Sequence, residues 1–262
     1  MINMALSNGQ KEEIRDLLRR MIRNKIQNYA RETTSMPFLT KLMQDDQKVA
    51  SYSFIHSIST SLGMSIYEDV SVIVAGPHCE AVDKKVDVKG AISKEQKSVI
   101  TSIVTELVNG TRKVNKESET REVLKAPAKD GRPQEHGKIV DFFMKRDGKE
   151  YYIEIKTVKP NIDVFEESKT KLLEWIARKQ KPIITVLAFP YNPYHPEPYS
   201  RFTHRGVLEV GKEFLVGEEY WDFLGGTGTF KDIMDVFDEV GKELHKEIMA
   251  KIDEVAKTKM KL

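Results

Sequence analysis

Residues 141–156 read DFFMKRDGKEYYIEIK, two strand-like runs on either side of Asp147-Gly148. An Asp-Gly pair between two such runs is a strong signal for a β-hairpin closed by a two-residue turn. In this hairpin Arg146 pairs with Lys149, and every further pair is set by that register. The stretch therefore predicts two antiparallel strands whose facing residues can be named from the sequence.

The predicted register brings three charged side chains to one face of the hairpin. Asp141 falls opposite Glu154, and Lys156 shares their face because it lies two residues further along the strand. Two carboxylates facing each other across a sheet repel, and a divalent cation between them reverses the sign of that interaction. Carboxylate oxygens and a backbone carbonyl on an intervening residue suit Mg²⁺, and the ammonium can orient or deprotonate a water molecule. The pattern indicates metal-assisted attack of water on a phosphodiester.

An alternative is that the hairpin is an ordinary solvated surface. Charged residues make up 31% of the chain, so a Glu-x-Lys sequence on a strand also arises by chance. The directly opposed aspartate, the apolar residues on both strands and the α-β unit that comes next favour a functional site.

The segments beyond the hairpin predict an α/β domain with a mixed sheet. A helix is predicted at about residues 164–180, and the apolar run PIITVLAF at 182–189 predicts a buried central strand. A further strand is predicted at 207–216, whereas the polar and basic residues 111–137 are expected to form a loop. The order β-β-α-β is typical of an α/β core.

The whole chain, residues 1–262, is predicted to be a single domain. It comprises a mainly helical region (1–110), the catalytic β-sheet core (136–216) and a C-terminal helix (228–260). In both helical regions apolar residues recur at three- and four-residue spacing, as in amphipathic helices.

Composition and charge limit the possible functions. The formal net charge is only +2, so a nucleic-acid surface has to be local. Residues 111–181 carry 18 Lys/Arg and 13 Asp/Glu, which makes the middle of the chain the part expected to face an anionic partner. The single cysteine excludes an intramolecular disulfide and a zinc site built from cysteines. The lack of an apolar signal segment predicts a soluble, cytoplasmic prokaryotic protein with no membrane contact, and the Lys/Glu richness is compatible with a thermophile.

The charged residues of the hairpin resemble a known signature. Asp141, followed after twelve residues by Glu154-Ile155-Lys156, resembles the PD-(D/E)xK nucleases, with Val140 at the position of the nominal proline. The resemblance extends over roughly residues 50–225 and implies a restriction-endonuclease-like core, with a central mixed β-sheet flanked by helices, plus N- and C-terminal helical elements. Three stretches are similar to TdeIII-like type II restriction endonucleases, a group associated with GGNCC-type sites: SLGMSIYEDV (61–70), EIKTVKPN (154–161) and GVLEVGKEFLVGEEYWDFL (206–224).

This resemblance implies a role for each residue of the site. Asp141 and Glu154 would bind Mg²⁺ with help from the Ile155 carbonyl, and Lys156 would position the attacking water and stabilise the transition state. Glu68 matches a helix-borne glutamate that many such nucleases aim at the metal, although it could also be an exposed helical acid.

Two further segments are candidates for contacts with DNA. Thr157, Lys159 and Asn161 come after the catalytic strand, where they could contact phosphate or a base edge, or simply form a polar exit loop. The proline-rich segment 190–206 is expected either to read bases or to be a surface loop packed by its own tyrosines. Its candidate contacts are Arg201, His204 and Arg205, of which the arginines could pair with guanine.

The sequence thus predicts a Mg²⁺-dependent type II restriction endonuclease that cuts both strands of duplex DNA and leaves 5′-phosphate ends. A palindromic site needs two active sites related by a twofold axis, so a homodimer is expected. A cognate DNA methyltransferase is expected as a partner of the system and not as part of a complex. The alternatives are a structure-specific or repair nuclease resembling junction resolvases, a non-catalytic DNA-binding protein of the same fold, and a helical interaction protein.

Overall fold

The predicted hairpin lies in the middle of a five-stranded sheet. The computed structural model describes residues 6–29, 36–133, 136–156, 162–200 and 206–257. Among these residues the strands of the central sheet are, in spatial order, β1 (Ala81–Asp87), β4 (Ile139–Arg146), β5 (Lys149–Ile155), β6 (Ile184–Phe189) and β7 (Phe214–Val216). A separate two-stranded sheet contains β2 (Ala91–Ile92) and β3 (Arg132–Pro133).

The sheet is mixed, as the sequence predicts. β1 and β4 are antiparallel, as are β4 and β5, whereas β5, β6 and β7 run parallel to one another. Asp147 and Gly148 have φ values of 52° and 70°, and two positive values are what a type I′ hairpin turn requires. Arg146 pairs with Lys149, and the ladder continues in this register to Phe142 and Ile153, so the predicted register is confirmed.

The chain divides into two compact units, one of residues 1–70 and 231–262 and one of residues 71–230. The predicted single domain stays a prediction, since compactness does not test whether the units fold separately. No helix in the described part of the chain combines the length and apolar character that crossing a membrane requires. The described α-helices are α1 (Asn8–Asn28), α2 (Pro37–Met43), α3 (Asp46–Ser61), α4 (Tyr67–Ala75), α5 (Lys94–Val108), α6 (Lys116–Lys125), α7 (Ile162–Lys179), α8 (Glu218–Gly225) and α9 (Thr229–Lys257).

In the unit of residues 71–230, α7 connects β5 to the parallel strand β6. Its apolar side chains Leu172, Trp175 and Ile176 are buried in one hydrophobic core together with residues of the sheet. All residues of β6 after the first are buried, which is typical of a central strand covered on both faces. Packing of α7 therefore holds β5, which carries Glu154, against the core of this unit.

In the described part of the unit of residues 1–70 and 231–262 the elements are helices. The region 1–110, predicted to be mainly helical, also contains β1 of the central sheet. Ser7 caps α1 through a capping box with Gln10, which satisfies two backbone donors at the start of the helix. Val255 of α9 packs with Ala50 and Phe54 of α3. The apolar stripe of the C-terminal helix is therefore core in this unit, and it gives no direct support to a role in dimerisation.

Two sequence expectations about local structure are wrong. The predicted loop at 111–137 contains the helix α6, which begins after the N-cap residue Asn115 and buries Val123. Its many charged residues hide the short apolar side of the helix from a pattern search. The strand predicted at 207–216 is reduced to Phe214–Val216, because the chain turns at Gly211, whose φ is 78°.

Candidate active site

Asp141 and Glu154 lie on the neighbouring strands β4 and β5, directly beyond the last pair of their ladder. That last pair is Phe142 and Ile153, and in the same register Asp141 and Glu154 come next. Beyond this pair the side chain of Asp141 bonds to β5: its Oδ2 accepts a hydrogen bond of 2.9 Å from the backbone N–H of Ile155. This bond fixes the Asp141 side chain beside Ile155, the middle residue of Glu154-Ile155-Lys156.

Glu154 is a buried carboxylate whose two oxygens differ. Its side chain is 2% exposed, and Oε1 lies 2.8 Å from the Lys156 ammonium and 3.3 Å from that of Lys171. Oε2 is also buried, and within the described residues it accepts no hydrogen bond. A buried carboxylate oxygen without a partner is costly, so a ligand at this position would relieve an existing penalty.

Lys85 and Lys171 belong to the cluster although the sequence did not point to them. Lys85, on the edge strand β1, places its Nζ 3.0 Å from Asp141 Oδ1. Lys171 comes from α7 and also lies over the ring of Trp175, at 5.2 Å. Neither lysine is part of a recognisable sequence motif. The pairing of β1 with β4 brings Lys85 to Asp141, and the packing of α7 brings Lys171 to Glu154.

These lysines change the electrostatics expected from the hairpin alone. The sequence suggests two opposed carboxylates that need a cation, whereas the structure gives them three ammonium groups, from Lys85, Lys156 and Lys171. Burial has the largest effect on Lys156 and by itself lowers its pKa, but the carboxylates of Glu154 and Asp141 outweigh it, so the pKa is raised. Lys156 is therefore a protonated cation in this state and not a proton acceptor.

The donor set fits a hard divalent cation. Asp141 and Glu154 offer carboxylate oxygens from two rigid strands, and the buried Oε2 of Glu154 has no other partner within the described residues. In the described parts of the chain no group of three or more His, Cys, Asp or Glu side chains could hold a metal. A site here would therefore use two carboxylates and complete its shell with a backbone carbonyl, water or substrate oxygens, as Mg²⁺ sites often do.

Glu68 lies in the first turn of α4, directly after a π-helical turn at Leu62–Ile66. Its side chain is buried, so the alternative of an exposed helical acid is wrong. Short π-helical turns are frequent at functional sites. Glu68 belongs to the unit of residues 1–70 and 231–262, and its role as a metal ligand stays a prediction.

The six predicted DNA contacts lie outside the described residues. This holds for Thr157, Lys159, Asn161, Arg201, His204 and Arg205. The preceding part of the proline-rich segment is described, and there Tyr199 packs against Phe189, Tyr194 and Phe214 with ring centroids 5.4–5.6 Å apart. Up to residue 200 the segment is thus held by its own tyrosines and by the core, as one of the two alternatives expects.

Comparisons with known proteins point to one enzyme class. A family model described as type II restriction endonuclease, HinfI, matches residues 6–241. The type II restriction enzyme HgiEI of Herpetosiphon aurantiacus is 26% identical over 206 residues, which cover 76% of this chain and 75% of the relative. The type II restriction enzyme MjaII of Methanocaldococcus jannaschii is 28% identical over 211 residues, covering 74% of this chain and 56% of the relative. The region matched by the family model includes the whole hairpin.

Proposed function

We propose that this chain, which belongs to the HinfI family of type II restriction endonucleases, cleaves DNA at the cluster formed by Asp141, Glu154 and Lys156. Family membership makes it a site-specific deoxyribonuclease, and the proposal concerns which residues act and how. The observation that carries it is the buried Oε2 of Glu154, which has no partner in the described chain and lies in a carboxylate held by an ammonium. An ordinary solvated hairpin face would not bury a carboxylate in this way.

Asp141 and Glu154 would hold Mg²⁺ together with the Ile155 carbonyl, and water or substrate oxygens would complete the shell. The donor set is all oxygen, which suits a hard cation. When bound, the cation would stabilise negative charge on the phosphoryl oxygens as a Lewis acid. The hydrogen bond from the Ile155 N–H to Asp141 keeps that carboxylate in place before a ligand arrives, so little ordering remains to be done at binding.

Lys156 would act as a fixed cation beside the reacting phosphate. Against the effect of burial, the carboxylates of Glu154 and Asp141 raise its pKa in the metal-free protein. Its proposed role is to orient the attacking water and to stabilise charge that develops on the phosphoryl oxygens. Attack of water on phosphorus breaks the bond to the 3′ oxygen and leaves 5′-phosphate and 3′-hydroxyl ends. Glu154 holds Lys156 at 2.8 Å and thereby fixes the ammonium relative to the site.

The DNA partner is duplex DNA with a palindromic site, proposed to be of the GGNCC type. Thr157, Lys159, Asn161, Arg201, His204 and Arg205 remain the proposed contacts to phosphates and bases. Cutting both strands of a palindrome needs a homodimer with one active site per strand. A cognate methyltransferase acting on the same site in the cytoplasm would protect the host DNA. Membership of a restriction family favours this function over a junction resolvase or a non-catalytic DNA-binding protein.

The decisive experiment is digestion of a long DNA of known sequence with Mg²⁺ or with EDTA, and then sequencing of the ends. We expect discrete fragments whose ends share one short palindrome and carry 5′-phosphates, and no cutting in EDTA. Cutting at unrelated positions would contradict site specificity, and cutting in EDTA would contradict the metal site. Discrete ends at a different palindrome would overturn only the proposed GGNCC specificity.

A further inference from the structure

The four oxygens of the Asp141 and Glu154 carboxylates differ in their partners. Asp141 Oδ2 accepts the Ile155 N–H, and Asp141 Oδ1 is 3.0 Å from the Lys85 ammonium. Glu154 Oε1 contacts Lys156 and Lys171, whereas Glu154 Oε2 has no partner in the described residues. A cation that binds both carboxylates therefore finds Glu154 Oε2 open and meets Lys85 at Asp141 Oδ1.

The backbone holds Lys85 at this position. Its neighbours Lys84 and Val86 pair with Phe142 and Val140, so Lys85 stands opposite Asp141 in the same register. Its φ of 54° lies in the left-handed region, which residues with a side chain rarely adopt in a strand. The side chain is 51% exposed, so its ammonium can leave Asp141 without crossing the protein interior.

The charge of the cluster governs how readily it accepts a cation. Asp141, Glu154 and the three ammonium groups that contact them carry a net charge of +1, and a divalent cation raises it to +3. Glu167 also acts on Lys156 and offsets part of this positive charge. Like charges within a few ångströms repel, so binding of the cation alone is opposed. The phosphodiester backbone of DNA supplies the negative charge that the loaded site lacks, and an ammonium released from Asp141 is a phosphate-binding group.

We propose that Lys85 is a resident countercharge of the active site, which occupies Asp141 in the metal-free enzyme and moves to a DNA phosphate when a divalent cation binds. Lys85 thereby makes the binding of cation and of DNA mutually dependent, as thermodynamic linkage requires of any coupled pair. This inference rests on the proposed function, because it takes Asp141 and Glu154 to be the cation ligands. In this proposal Lys85 contacts Asp141 before the cation binds and a DNA phosphate afterwards.

The test is calorimetric titration of the protein with Ca²⁺, a carboxylate-binding cation of the same charge, in the absence of DNA. Without a competing ammonium at Asp141, Lys85→Met should bind Ca²⁺ about five- to tenfold more tightly than the unaltered chain, as expected for a partly exposed charge pair. Lys85→Arg retains the charge and should bind as the unaltered chain does. Lys84→Met, on the adjacent exposed lysine of β1, is the matched control and should change nothing.

A second titration adds a DNA duplex containing the site mapped by end sequencing. The duplex should raise the Ca²⁺ affinity of the unaltered chain, and this enhancement should shrink about five- to tenfold in Lys85→Met. Unchanged or weaker Ca²⁺ binding by Lys85→Met without DNA would overturn the inference, as would an unaltered enhancement. If none of the proteins bound Ca²⁺, the metal site itself would be wrong. Intact Mg²⁺-dependent cleavage with unaltered Ca²⁺ affinity in Lys85→Met would overturn the role of Lys85 alone.

Discussion

Two clusters of lysine and glutamate lie in the unit of residues 71–230, and they differ in how completely their charges are paired. In the first, here called the buried cluster, Lys169 Nζ lies 2.5 Å from Glu119 Oε2 and also contacts Glu213, and all three side chains are at most 2% exposed. In the candidate active site, Glu154 Oε2 lacks a partner in the described chain and Lys85 is half exposed.

In the buried cluster, backbone N–H groups add hydrogen bonds to those from the lysine. Glu119 Oε1 accepts the N–H of Asn115 at 2.9 Å, and Glu213 Oε1 accepts that of Glu209 at 3.1 Å. The network ties α6, α7 and the turn before β7 together, and a buried hydrogen-bonded network of this kind rigidifies a core. The same residue types therefore stabilise the structure where ammonium and backbone donors pair the carboxylates, and they offer a ligand site at Glu154, where one buried oxygen has no partner in the described chain.

Substitutions in the candidate active site should have the largest effect, and they should act on cleavage. Asp141→Asn and Lys156→Ala should each lower the cleavage rate about 10³-fold or more, because the first removes a charged ligand of the proposed cation and the second removes the ammonium beside the reacting phosphate. Binding of duplex DNA, measured by fluorescence anisotropy in EDTA, should be largely retained. A near-normal rate in either variant would show that the site is elsewhere.

In the buried cluster, Lys169→Met should act on stability. It leaves Glu119 and Glu213 buried without their countercharge, so the free energy of unfolding should fall by about 3 kcal/mol or more. Urea unfolding monitored by circular dichroism measures this change. Lys212→Met is the control, since Lys212 pairs with Glu209 at the surface and should have no measurable effect. Equal stabilities of Lys169→Met and Lys212→Met would remove the structural role of the buried cluster.

Lys116 lies at the edge of the buried cluster and should make the free energy of unfolding depend on pH. Burial lowers the pKa of Lys116 to about 8, with Glu213, Glu119 and Glu209 opposing the shift and Lys169 adding to it. The unfolded chain binds this proton up to its usual pKa of about 10.4, so the stability of the native state should rise as the pH increases from 8 to 10.

We expect the unaltered chain to gain about 1 to 2 kcal/mol relative to Lys116→Met over this range, less than the full shift implies because the side chain keeps contact with water. The measurement is urea unfolding of both proteins at pH 7.5 and 10. Parallel pH profiles of the two proteins would mean that Lys116 titrates as an ordinary lysine.

Substitution of Lys171, at the border of the candidate active site, should have the smallest effect, a modest loss of cleavage rate. Glu154 keeps Lys156 when Lys171 is changed, so Lys171→Met should lower the single-turnover cleavage rate only about tenfold. DNA affinity should not change, and Lys171→Arg should restore most of the rate. A loss of folding in Lys171→Met, seen in its circular dichroism melt, would instead place Lys171 with the structural cluster.

Local signals in the sequence were sufficient for the hairpin and its register. The Asp147-Gly148 turn and the strand period of two depend only on neighbouring residues, and together they place Asp141 next to Glu154. The helix α6 escaped prediction because its charged residues mask a short buried side. The roles of Glu68 and of the six DNA contacts remain predictions, since the structure does not describe those six residues and no observation tests Glu68.

The sequence by itself determined the mixed α/β core and the three charges of the hairpin, because turn chemistry and alternation act within a few residues. Only the tertiary structure decided which further groups meet those charges, since Lys85 is 56 positions from Asp141 and Lys171 is 17 positions from Glu154. The same holds for the buried cluster, where Lys169 lies 50 and 44 positions from its partners. Such contacts depend on strand pairing and helix packing, and lysines and glutamates at these separations leave no local pattern.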